Sequence, residues 1–155
     1  MRKHMSSIAG LVIGLGALGA WWSTRATVSG YNEYSDQLRP VVAEQDTIVQ
    51  ETGKASNADG AKKVDGWIET SKALEAKFVA ITPKDPEIAA FHHHWINRAK
   101  SITAALEALK KFYGTSASAD LEVVKKHSAE AKAHLDAFTA ARNAYGKSND
   151  IQFEQ

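Results

Sequence analysis

Thr82-Pro83-Lys84-Asp85-Pro86-Glu87 is the sharpest break in the chain, and the fold is legible outward from it. Proline suits a first helical position, where its missing amide has no partner to lose, and Asp85 one step earlier can accept from the free amides of the next turn. Glu87 places negative charge at the positive end of the helix dipole. The hexapeptide therefore predicts a helix starting at residue 86. Ile88, His92, Trp95, Ala99, Ile102, Leu106, Leu109 and Tyr113 follow at intervals of three and four, the period of a buried stripe, and Gly114 offers a left-handed cap.

Towards the C-terminus, Thr115 to Ala119 is a short polar loop in which Ser118 can cap a helix over about 119–145. Its inward stripe is Leu121, Val124, Ser128, Ala131, Leu135, Phe138 and Tyr145, and Gly146 marks a stop before a polar tail, 147–155. Towards the N-terminus, Val64, Trp67, Ile68, Ser71, Leu74, Phe78 and Ile81 predict a helix over 61–81, entered through a loop from Gly53 to Gly60. Gly66 weakens that helix by about 1 kcal/mol relative to alanine and suggests close packing by Trp67 or another helix. A first helix over 27–52 carries Val28, Tyr31, Leu38, Val42 and Val49 with Tyr34, Val41 and Ile48 beside them. Gln45 falls on its inward stripe as a hydrogen-bonded core amide, and Pro40 predicts a kink near Leu38 or a fresh start. Four amphipathic helices joined by short connections predict an all-α, up-down-up-down four-helix bundle over 27–146.

Residues 1–25 are of another kind. Ile8 to Trp22 is almost wholly apolar or small, preceded by Arg2, Lys3 and His4 and followed by Arg25. A basic start, an apolar middle and a polar continuation describe a segment handled by export or membrane insertion. About 18 residues give roughly 27 Å of helix, at the short end of a bilayer span. Trp21 and Trp22 fall where interfacial rings sit, and with Arg25 they mark the outer membrane boundary. The reading is a retained signal anchor with its amino end in the cytoplasm. It implies a single pass through a bacterial inner membrane with the bundle on the periplasmic side; the alternative is export after cleavage of a signal peptide. Gly10 and Gly14 are spaced for helix pairing within the membrane.

Composition removes several classes of chemistry. With 155 residues and no cysteine, the chain has room for an anchor and one core, but for no disulfide, thiolate metal site or covalent haem. Its 19 lysines and arginines, less Arg2, Lys3 and Arg25, leave 16 against 18 acidic residues beyond the anchor, about −2. Signs are interspersed, so no nucleic-acid footprint is expected.

The histidines form the one constellation that invites chemistry: His92, His93 and His94 on the third helix, His127 and His134 on the fourth. Consecutive helical residues point about 100° apart, so the triplet cannot converge on one ion. The nearest approach to a metal set is His92 with Glu130 and His134. In an antiparallel hairpin, however, His92 falls level with Arg142 and His134 with Ala99, roughly 10 Å apart in height. No metal and no cofactor are expected; His92 reads as a core imidazole with a partner, and the other four as surface residues. No phosphate loop, nucleophile elbow or inward carboxylate pair suggests an enzyme. The expected function is a non-catalytic accessory or docking subunit of a membrane complex, with a periplasmic small-ligand or metal-binding bundle as the alternative.

Overall fold

The computed structural model describes residues 29–151 and 153, which form α1 Ser29–Lys54, α2 Asn57–Ala80, α3 Pro86–Thr115 and α4 Ser118–Ser148, with no strand among the described residues. The apolar segment 1–25, including Trp21, Trp22, Arg25 and the Gly10–Gly14 pair, lies outside them. Among the described residues no helix is long and apolar enough to cross a membrane.

The helices pack as a four-helix bundle, and their contacts fix the direction of each. Going down α1, Glu33, Glu44 and Glu51 meet Lys84, Lys77 and Trp67, so α2 runs back along α1. Asp65, Lys72 and Phe78 of α2 meet Lys110, Glu107 and Trp95, so α3 reverses again. Phe91 and Trp95 meet Tyr145 and Phe138, which returns α4 along α3. The exposed ion pairs among these align the helices but contribute little stability, since water screens them. The core carries the weight. Leu74, Phe78 and Ile88 are 0 % exposed, and an aromatic layer joins all four helices: Tyr31 and Tyr34 from α1, Phe78 from α2, Phe91 and Trp95 from α3, and Phe138 and Tyr145 from α4. Truncating such a ring to alanine typically costs about 3–5 kcal/mol.

The expected stripes are buried, but α3 buries more than a stripe. Phe91, Arg98, Ala105, Ala108 and Phe112 are buried besides the expected positions, whereas Tyr113 is only half-buried. The reason is position: α3 touches α2 and α4 along its length and meets α1 through His92 and Arg98. Asp85 caps α3 as expected, its Oδ1 accepting from the amides of Glu87 at 2.8 Å and Ile88 at 3.3 Å. Its Oδ2 accepts from the Tyr145 hydroxyl at 2.9 Å, tying the start of α3 to the end of α4.

Several boundaries differ from expectation. α1 passes through Pro40 without interruption, since Leu38, Val41 and Val42 are buried on either side and tertiary packing outweighs one lost amide bond. The Gly53–Gly60 loop shrinks to Ala55 and Ser56, because the Ser56 hydroxyl accepts from the Asp59 amide and starts α2 at Asn57. The left-handed residue after α3 is Ser116 at φ 54°, not Gly114, and Ser118 begins α4 without acting as its side-chain cap.

The polar tail is also more than a tail. α4 continues past Gly146 to Ser148, and Asp150 at φ 54° turns the chain so that the Ile151 amide donates to the Gly146 carbonyl at 2.8 Å. Ile151 is buried, and Phe153 packs 5.1 Å from Tyr31. A Cβ on Gly146 would lie 2.4 Å from the Phe153 ring and 2.9 Å from the Ile151 carbonyl, so glycine makes the return possible.

Gly66 has no such role: a Cβ there would meet nothing within 4 Å. Gly66→Ala should therefore stabilise the bundle by about 0.5–1 kcal/mol through helix propensity alone. Urea unfolding checks this, with the midpoint rising and the slope unchanged.

Candidate functional site

The three adjacent histidines of α3 enter three different environments, as their angular spacing requires. His92 is buried at 3 % exposure. Its Nε2 lies 2.9 Å from the Phe78 carbonyl, which can only accept, so Nε2 carries the proton and Nδ1, 3.0 Å away, accepts from the Tyr34 hydroxyl. Both ring nitrogens are thus engaged, and His92 has no lone pair left for a metal. Burial pushes its pKa below the ordinary value; the bond to Phe78 works the other way, and His93 adds to the lowering. Burial likewise drives the Tyr34 hydroxyl far above the usual range, keeping it a donor.

His93 is exposed and turns Nδ1 to the Ala90 carbonyl one turn back. His94 is half-buried and faces α4, where its ring centroid is 5.9 Å from that of His134. Glu130 pairs with His127, Nδ1 to Oε2 at 2.7 Å, rather than with His134. The structure therefore does not bring His92, Glu130 and His134 together; it pairs His94 with His134. Among the described residues no group of three or more His, Asp or Glu is placed to hold a metal ion.

A second polar cluster lies between α1 and α3. Arg98 is 1 % exposed; one guanidinium nitrogen donates to Gln45 Oε1 and another to Asp46 Oδ1 at 3.3 Å, while its carbon sits 5.0 Å from the Trp95 ring centroid. Burial lowers the Arg98 pKa to about 10, and Asp46 partly opposes this. Asp46 is itself raised by burial, with Arg98 pulling it down. Gln45 is a core amide as expected, but its Nε2 has no partner, nor has the buried Trp95 Nε1. Hydropathy concealed Arg98, because a charge in the core becomes tolerable only with partners from another helix.

An open groove of about 450 Å³ runs between α3 and α4, lined by Ala90, Phe91, His94, Ala141, Ala144 and Tyr145 together with Glu87 and Ser148. Tyr145 also stacks on Tyr31 at 6.1 Å, so the groove opens at the end of the bundle where α1 begins. No family model, curated protein or solved structure matches this chain.

Removing one member of the buried cluster leaves the others unpaired. Arg98→Ala should cost about 3–5 kcal/mol, and Arg98→Met combined with Asp46→Asn and Gln45→Leu considerably less, as read by chemical unfolding. The histidines set an acid limit. Folded-state pKa values of His92 and His94 are depressed, so the unfolded chain binds more protons, and their stability contribution is full above about pH 6.5 and lost as pH falls through the folded values. The Tm should hold between pH 7 and 8 and fall below pH 6.5, with a shallower fall in His92→Gln; Asp46, whose shift has the opposite sign, cancels in that comparison.

Proposed function

We propose that this chain is a non-catalytic, membrane-anchored bundle that docks onto another subunit of a membrane complex on the periplasmic side of a bacterial inner membrane. The observation that carries the reading is the placement of the groove. Its alanines, Ala90, Ala141 and Ala144, leave room for a partner helix to approach closely, and it opens at the end where α1 enters the bundle. An anchor formed by Ile8 to Trp22 would join the domain at that same end. A partner embedded beside the anchor would meet the groove first. The rest of the surface, salted with ion pairs such as Lys72–Glu107 and Lys132–Asp136, suits water.

A photo-crosslinking residue at Ala144, which is exposed, should capture one stoichiometric partner from detergent-extracted membranes, identified by mass spectrometry. With the crosslinker kept at position 144, Ala90→Arg, on the opposite wall of the groove and also exposed, should abolish that partner while shifting stability by no more than about 0.5 kcal/mol. Recovery of the native chain from the cytosolic fraction, or capture unaffected by Ala90→Arg, would end this reading.

A further inference from the structure

The contact between His94 and His134 has no explanation in core packing, although His94 also lines the groove. His94 Nδ1 is buried and has no hydrogen-bond partner, and His134 makes no hydrogen bond within the described residues. A buried polar atom without a partner is costly and uncommon. Two imidazoles from different helices nevertheless lie side by side, with centroids 5.9 Å apart and planes inclined by 37°.

We propose that His94 and His134 form a two-imidazole clamp for a divalent late transition-metal ion of the Zn²⁺, Ni²⁺ or Cu²⁺ class, linking α3 to α4.

The distances suit such an ion. A ligating imidazole nitrogen lies about 2.1 Å from zinc and about 1.1 Å from its own ring centroid, which puts the ion roughly 3.2 Å from each centroid. Two such rings at the tetrahedral angle have centroids about 5.2 Å apart, within about 1 Å of the observed separation, so the clamp closes by turning one nitrogen of each ring towards the ion with little change in ring spacing. Imidazole selects late transition metals over Ca²⁺ and Mg²⁺, which require oxygen ligands. Burial, with His93 and His134 nearby, keeps the His94 pKa below its ordinary value, so at neutral pH its ring is in the unprotonated form that binds metal. His93, exposed and turned to the Ala90 carbonyl, stands beside His94 at 4.0 Å between centroids. No third side chain completes the set among the described residues, so the remaining coordination positions fall to water or to a group from outside the chain. An ion held in this way would pin α3 to α4 at the wall of the groove that His94 lines. The clamp does not depend on the groove being a docking surface.

The test uses the full-length chain in mild detergent. Zn²⁺ should raise its Tm in a concentration-dependent way, and Cu²⁺ should give an electron paramagnetic resonance spectrum with two imidazole nitrogens. His94→Gln and His134→Gln should each weaken Zn²⁺ binding at least about tenfold and reduce the spectrum to one nitrogen, whereas His127→Gln and His4→Gln should change neither. Binding unchanged in His94→Gln and His134→Gln, or binding that follows His127 or His4, overturns the proposal. If either variant fails to fold, the native protein decides: no Tm shift at millimolar Zn²⁺, or a Cu²⁺ spectrum without two imidazole nitrogens, is equally decisive against it.

Discussion

One stretch of α3, from His92 to Arg98, holds the other three helices. Trp95 packs 5.8 Å from Phe78 of α2 and 5.1 Å from Phe138 of α4. His92 bridges the Tyr34 hydroxyl of α1 and the Phe78 carbonyl of α2, and Arg98 draws Gln45 and Asp46 of α1 against the same face. Apolar burial supplies most of the free energy, but it is indifferent to small slips in register. The polar contacts are not. A buried guanidinium or imidazole has few acceptable partners, so a one-residue slide of α1 leaves it unmet. Register and compactness therefore have different origins in this bundle, and both meet at the indole of Trp95.

The helices were legible because each carries a stripe of period 3.6 and because Asp85-Pro86 is a chemically unambiguous start. The errors have physical causes. Gly53, Gly114 and Gly146 read as helix ends, yet each lies inside a helix: glycine permits a stop, but α1 runs on until Ser56 caps the start of α2, and α3 and α4 run on to the left-handed turns at Ser116 and Asp150. The stripe points Tyr113 inward and Phe112 outward, whereas Phe112 is buried and Tyr113 half-buried, because a helix packed on several sides has no single stripe to read. Arg98 was missed for the same reason, since period and hydropathy both count a charged residue as outward.

The histidines show where reading a candidate site from sequence stops. Helix geometry alone keeps the triplet from converging on one ion, and the buried stripe makes His92 a core imidazole with a partner, which is where the structure places it. Which histidine faces α4 depended on the register of the α3–α4 hairpin. An idealised turn levels His134 with Ala99; the side chains that meet are His94 and His134, with Trp95 against Phe138 one step along. Side chains lean towards the N-terminus of their own helix, and in an antiparallel pair that lean moves contacts in opposite directions on the two partners. A few residues of offset decide which imidazoles meet.

The inward turn of the chain at Asp150 brings Phe153 onto Tyr31 and 4.6 Å from the Arg142 guanidinium, so the beginning of α1 and the stretch following α4 are in contact. Topologically the domain is close to a closed ring. A short linker could join the two ends, and the ring could be reopened between Thr115 and Ser118, at the opposite end of the molecule, with every helix pairing retained. The order in which the helices follow one another along the polypeptide is then separable from their arrangement in space.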